Sequence, residues 1–492
     1  MPCGTSERDM RSLFSHPEIK NSVTGCRTDT TEGVALLTGN PKNAILDLSG
    51  PMIIAMLLMA SYNVVNAIWV AGLGSDALAA IGFISPIYMI IMGLGCGIGA
   101  GATSAVARKI GAGDRNGASN AALHTLVIAA IISLVLTIPL VIFAEPLAIL
   151  FGAGTTAGLA ASYGQVIFGG TFFVIFVNAA YGILRAEGDA KRTMYAMVAA
   201  SILNMILDPI LIYGLGLGIA GAAWGTLISL AAVTAVLLYW FFVKRNLYVC
   251  LSWRIFAPCR SVAEDILTVG LPASVEYLAM SILMIVLNLM LVSVANTDAV
   301  AVFSVGFRVV SFGIVPVVAT GTVVVSVVGA AYGARHYENI RVAHTFAILF
   351  GILIALCVSA ITWVFAYQIA AIFSYSSEGA QLYPTIAAFI RVMCVFYPFV
   401  PLGLLSSSVF QGVGKGPTSL FLTIMRSLVF AILFAYVFTF IVGMGETGIW
   451  WGMVAGEIVG GLFAFTWARV YLLRLDRWSR EDSAIPKQVA GQ

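Results

Sequence analysis

Charge is what this chain most lacks. Only 10% of its 492 residues are Asp, Glu, Lys or Arg, against 60% apolar residues and a mean hydropathy of +0.98, whereas soluble domains carry about 25% charged residues. A soluble globular fold is therefore excluded, and a large polytopic membrane protein is implied. The formal net charge of +3 does not point to nucleic acid, because the basic residues fall in loops, where membrane topology accounts for them. Metal-ligand patterns are also missing. The seven cysteines, Cys3, Cys26, Cys96, Cys250, Cys259, Cys357 and Cys394, are odd in number and show no zinc spacing, so neither a disulfide nor a metal site is expected. No His-Glu motif or convincing Ser-Lys pair lies in the apolar segments, so an intramembrane enzyme finds no support.

What is present is a succession of apolar runs. A helix needs about 20 such residues to cross the hydrocarbon core, and twelve segments qualify: 46–71, 80–105, 120–145, 160–184, 193–215, 219–243, 266–294, 300–330, 342–367, 382–407, 418–442 and 447–472. The loops after the even-numbered segments and the two polar ends (1–45 and 473–492) hold 22 of the 26 basic residues, and Arg469, in the last turn of the final segment at the C-terminal end, makes 23. By the positive-inside rule both termini are expected in the cytoplasm of a multi-pass protein of the cell membrane. The other three, Arg308, Arg391 and Arg426, fall within segments.

The chain also repeats itself. Gly74-Ser75-Asp76-Ala77-Leu78-Ala79-Ala80 recurs 222 residues later as Asn296-Thr297-Asp298-Ala299-Val300-Ala301-Val302. Gly113-Asp114-Arg115 with His124-Thr125 is echoed by Gly333-Ala334-Arg335 with His344-Thr345, at an offset of 220. Gly221-Ala222-Ala223-Trp224-Gly225 returns as Gly448-Ile449-Trp450-Trp451-Gly452, at an offset of 227. Six helices per repeat make an even number, so an all-α fold of two six-helix lobes is expected, related by a pseudo-two-fold axis along the membrane normal. The lobes would span 46–243 and 266–472, joined by a cytoplasmic connector over 244–265.

Asn204 and Asp208 lie four apart on the fifth segment and so share one helix face. An ionisable group inside a bilayer is costly and usually functional. Counting in from the loops puts Asn66, Asp208 and Thr226 at similar depth, with Tyr62 one turn from Asn66 and Asn63 nearby. Such a set could coordinate a small hard cation, which would make Asp208, Asn204 and Thr226 a Na⁺ site, or hold a carboxylic acid that exchanges its proton. Glu276 is open between a second titrating site and an inter-helix hydrogen bond. Glu457 is expected to pair with Arg308 or Arg391, and Arg426 to snorkel toward a helix end. His124 and His344 are expected to be structural and equivalent in the two repeats.

Three stretches carry a resemblance: Tyr62-Asn63-Val64-Val65-Asn66-Ala67-Ile68-Trp69-Val70-Ala71-Gly72-Leu73-Gly74, Gly182-Ile183-Leu184-Arg185-Ala186-Glu187-Gly188-Asp189-Ala190 and Asn204-Met205-Ile206-Leu207-Asp208-Pro209. Together they resemble the multidrug and toxic compound extrusion (MATE) transporters, most closely archaeal members of the DinF-like branch, over about residues 40 to 472. The resemblance implies a V-shaped exporter that exchanges drugs or metabolites for H⁺ or Na⁺, with no other cofactor. Its coupling site would map onto Asn204, Asp208 and Thr226, with Tyr62 and Asn178 in the surrounding network and Pro51 where the first helix bends. Where this chain has Asn66 and Tyr181, the archaeal relatives carry Asp and Asn, which leaves Asp208 as the only acid at this depth in the first lobe and favours one monovalent cation per cycle. Partners would be small-molecule substrates and membrane lipids, with a monomer as the expected form. A lipid or oligosaccharide flippase of the same superfamily is the alternative, and only Arg308 and Arg391 could meet its phosphate groups.

Overall fold

In the computed structural model, which describes residues 30–252, 254–295, 297–373 and 382–484, one turn closes four spans in the same way. After the second, fourth, eighth and tenth spans the chain enters the left-handed region at Gly113 (φ 70°), Gly188 (φ 73°), Arg335 (φ 58°) and Gly414 (φ 85°). The following N–H then reaches back to a carbonyl in the last helical turn: Asp114 to Lys109 (3.0 Å), Asp189 to Leu184 (3.0 Å), His336 to Ala331 (2.9 Å) and Lys415 to Phe410 (2.8 Å). This is the Schellman closure of a helix end, which glycine makes at least cost. It also corrects the register of the repeat. Gly113 is equivalent to Arg335, an offset of 222 rather than 220, so His124 and His344 are not exact counterparts. Sequence letters matched glycine to glycine, whereas the backbone repeats the left-handed turn.

Among the described residues eleven helices are long and apolar enough to span a membrane, and a pair bent by 42° makes twelve when counted as one span. They are α1 (Pro41–Ala71), α2 (Ser75–Gly111), α3 (Arg115–Ile142), α4 (Gly154–Gly169 with Thr171–Ala186), α5 (Ala190–Gly214), α6 (Gly218–Lys244), α7 (Arg260–Val294), α8 (Asp298–Gly333), α9 (Tyr337–Val364), α10 (Tyr383–Gly412), α11 (Gly416–Ile441) and α12 (Glu446–Arg477). The fold is all-α, as expected. Its spans run longer than the expected segments because helix continues beyond the apolar stretch into polar turns. Pro51 lies inside α1, which runs on as one helix to Ala71.

The helices form two compact units. One holds Ser61–Ser274 and the described residues through Gly39; the other holds Asn40–Ala60 and the described residues from Val275 onward. Both α1 and α7 therefore divide between units in mid-helix. In the first unit α2 and α4 touch through glycine: a Cβ at Gly182 would collide with the backbone of Gly99, and Thr103 donates to the carbonyls of both Gly99 (2.8 Å) and Gly182 (3.0 Å). In the second unit Gly448, Gly452, Gly456 and Gly460 set one face of α12 against the backbone of α11, at Phe438–Thr439, Ala435, Ala431 and Arg426 respectively. Helices embedded in lipid associate through such close backbone packing, because lipid is as apolar as their side chains.

At the basic end of the first unit, the segment after α6 is strapped to α3. Arg115 donates to the Tyr248 carbonyl (2.8 Å) and lies over its ring, and Ser119 accepts from Cys250 N–H (3.0 Å). Asn120 exchanges two 3.1 Å bonds with Ala257, and His124 Nε2 accepts from Cys259 N–H (3.0 Å). The strap is anchored by Glu187, which is 1% exposed in the α4–α5 turn and accepts from Tyr248 N–H (3.2 Å) and Val249 N–H (2.8 Å). Cys250 is disulfide-bonded, contrary to expectation, because covalent pairing follows tertiary proximity, which spacing along the chain cannot reveal. Residues 1–29 of the expected N-terminal tail, with Cys3 and Cys26, lie outside the described residues; the rest of the expected tail is helical instead, with Glu32–Thr38 burying Val34 and Leu37 and α1 beginning at Pro41.

Burial pushes the Glu187 carboxyl up to about 8, against the pull of its two N–H donors. The folded protein then keeps a proton that the unfolded chain releases above about pH 4.5, so stability falls as pH rises from about 4.5 to 8, by up to ~1.4 kcal/mol per unit. Melting curves in detergent across that window should show this decline in wild type and a flatter profile in Glu187→Gln. Identical profiles would remove Glu187 as its source.

Candidate functional site

The site in the first unit begins where α5 changes pitch. Pro209 cannot donate a helical hydrogen bond, and the chain passes directly into a π-helical turn, Ile210–Gly214. Asp208, immediately before it, is fully buried and Asn204 is 3% exposed. With the Asn204 amide turned to suit its neighbours, its nitrogen donates to both carboxylate oxygens of Asp208 (3.0 and 2.8 Å), and its oxygen accepts from Thr226 N–H (3.0 Å) and Oγ1 (3.2 Å). The i, i+4 pair seen in the sequence is thus a bonded pair that reaches across to α6.

Gly225 makes this possible. A Cβ there would collide with Asp208 Oδ1, and one at Gly221 would strike the backbone of Leu211. The carboxylate lies in the space left by a missing side chain. At the offset of 227, the second unit has Ala435 against Gly452 at the equivalent contact, so the packing is repeated and the acid is not.

Around this core, Tyr62 faces Thr226 and lies near Asp208. Asn66 Nδ2 donates to the Tyr62 hydroxyl (3.3 Å), and Asn66 Oδ1 is buried without a partner among the described residues. Tyr88 of α2 and Tyr163 of α4 are within electrostatic reach of Tyr62, and Tyr163 is also within that of Asp208. Neither tyrosine stood out in the sequence, where a single hydroxyl in an apolar run is a weak signal. At the end of α1, Tyr213 Oη donates to the Trp69 carbonyl (2.6 Å). The structure therefore brings Asp208, Asn204, Thr226, Tyr62 and Asn66 together.

The remaining candidates of the first unit make contacts of their own. Asn63 is on an exposed face. Asn178 bonds to the Val174 carbonyl (2.9 Å), accepts from Cys96 Sγ (3.5 Å) and packs on Gly95 and Gly99, so it joins α4 to α2. Tyr181 is buried a turn farther on, beside Arg185.

Glu276, in the second unit, accepts from Ser419 Oγ (2.9 Å) and more distantly from Gln411 Nε2 (3.4 and 3.5 Å), with Thr423 alongside. It is an inter-helix hydrogen-bond centre linking α7, α10 and α11. One expectation is overturned here: Glu457 pairs with Arg426 at 2.8 Å, with the two side chains 6% and 7% exposed. Arg426 does not snorkel, because Gly403 and Gly460 leave room for its side chain within the bundle and it lies in a π-helical stretch, Met425–Phe430. Straight-helix depth counting misses both features. Arg308 is exposed and Arg391 stacks on aromatic rings.

Among the described residues, no group of three or more His, Cys, Asp or Glu side chains is placed to hold a metal ion. A cation at Asp208 would rest on one carboxylate and neutral oxygens.

The MatE family profile matches residues 51–210 and 272–437. The chain is 29% identical over 449 residues to the multidrug export protein MepA of Staphylococcus aureus (strain NCTC 8325 / PS 47), covering 90% of this chain and 96% of that protein. A crystal structure of MATE in complex with MaL6 superposes with a TM-score of 0.90 at 42% identity, over 91% of this chain and all of that one. An outward-facing multidrug resistance MATE family transporter of the MOP superfamily is likewise similar, with a TM-score of 0.89, 42% identity and the same coverage.

Two substitutions test the packing of these centres. Arg426→Met strands a buried carboxylate and should cost about 3–5 kcal/mol, read as a lower melting temperature, with much of the loss recovered in Arg426→Met/Glu457→Met. Gly225→Val should displace the Asp208 carboxylate and abolish transport while the protein still purifies as a folded monodisperse species. Wild-type transport in that variant would show that the contact is dispensable.

Proposed function

This chain belongs to the MatE family, and on that premise we propose that it is a secondary active multidrug exporter in which H⁺ or Na⁺ taken up at Asp208 drives release of organic compounds. The observation that carries this reading is a buried carboxylate without a cationic partner. Among the described residues, no Lys, Arg or His forms an ion pair with Asp208, and its hydrogen-bond donor is the neutral Asn204 amide. A bare carboxylate in an apolar interior is costly, by several kcal/mol even after relaxation. A proton or one monovalent cation removes that cost at a single site.

Neutralisation therefore favours whichever arrangement of the helices buries Asp208 most completely, and the ionised form favours one that lets water or a cation reach it. A ligand shifts such an equilibrium only by its difference in affinity for the two states. Exchange follows if cation and substrate prefer opposite states. The two ions make different demands on the site. A cation that takes Asn204 oxygen as a ligand requires the amide to turn end for end, which breaks its bonds to Asp208 and from Thr226 N–H and leaves Nδ2 to donate to Thr226 Oγ1 (3.2 Å); a proton on Asp208 requires no such turn.

Substrates are proposed to be small organic molecules, since MepA is a multidrug export protein. Both termini are proposed to lie in the cytoplasm, a reading supported by the distribution of Lys and Arg along the sequence.

Reconstitution into proteoliposomes tests this reading. Uptake of a fluorescent organic cation by inside-out protein should follow either an imposed pH gradient or an imposed Na⁺ gradient. In Asp208→Asn it should drop to the level of empty liposomes. Transport that ignores both gradients, or that survives the substitution, would make Asp208 a structural residue.

A further inference from the structure

Arg391 holds a positive charge at the end of α9 and α10 remote from the basic loops. It lies eight residues into α10, about 12 Å from the Tyr383 end. Its guanidinium sits over the rings of Tyr367 (4.6 Å) and Trp363 (5.4 Å), and Tyr367 in turn meets Tyr383 at 5.6 Å. Arg391 Nε is buried without a hydrogen-bond partner, and no carboxylate lies within ion-pair distance, among the described residues. Stacking stabilises a guanidinium through its faces but does not neutralise it, and it leaves the N–H edge free for an anion.

The surroundings identify the anion's source. Trp363 is 54% and Tyr367 41% exposed, and such amphipathic rings settle at the headgroup level of a bilayer. Along α9 below them, Ile361 and Leu356 are also exposed, continuing an apolar face in the direction of an acyl chain. We propose that Arg391, Trp363 and Tyr367 form a binding site for the phosphate group of a membrane phospholipid, with the acyl chains lying along α9. This site is in the second unit and does not depend on the role of Asp208.

The test uses the full-length protein, delipidated in detergent. Its melting temperature is followed while adding phosphatidylglycerol, an uncharged glycolipid with the same tails, or inorganic phosphate. Phosphatidylglycerol should raise the melting temperature well above either control, with a midpoint that moves at least tenfold higher in Arg391→Gln and less in Arg391→Lys. Tyr367→Leu keeps the charge and should also weaken the lipid response, which provides a reading if Arg391→Gln fails to fold. An equal effect of inorganic phosphate would overturn the lipid assignment. Equal effects of glycolipid and phosphatidylglycerol, or an Arg391→Gln titration like that of wild type, would overturn the site.

Discussion

A carboxylate in an apolar interior must be paired, hydrogen-bonded or neutralised, and the first unit is arranged around that requirement at Asp208. Two helix backbones approach at Gly221 and Gly225 closely enough to leave a space only an unsubstituted glycine permits, and the carboxylate occupies it. Asn204 bridges from there to Thr226, and Tyr62 extends the network to α1. The second unit repeats the close approach with Ala435 in place of the acid. Internal duplication thus supplied the packing twice, and only one copy carries a titratable group at that contact.

The second unit handles charge differently. Arg426 and Glu457 neutralise each other in a pocket made by Gly403 and Gly460, and Glu276 nearby is served by hydroxyl and amide donors. Pairing a buried charge stabilises the unit in one arrangement but leaves it little reason to respond to an ion. Asp208 has no such partner among the described residues, which is why the proposed function assigns the response to a proton or cation to the first unit. The chemical asymmetry is sharper than the structural one.

At the basic end, order depends on the backbone. Four Schellman turns close four helices, and Glu187 fastens the strap between the repeats by two main-chain N–H groups. A side chain that holds main chain places few demands on the residues it holds. That is why the strap could not be read from its composition, which suggests only a basic loop.

The succession of spans, the basic loops between them, the duplication and the Asn204–Asp208 pair were all legible in the sequence. Each is a local property: a run of apolar residues, a count of Lys and Arg, a letter match, a four-residue spacing on one helix face. The partner of Arg426, the bond between Cys96 and Asn178, the presence of Tyr88 and Tyr163 within electrostatic reach of Tyr62, and the bonded state of Cys250 were decided by tertiary structure. Each depends on how far one helix is rotated or shifted against another. Glycine contacts and π-helical turns set those rotations, and their effect appears only when both helices are in place.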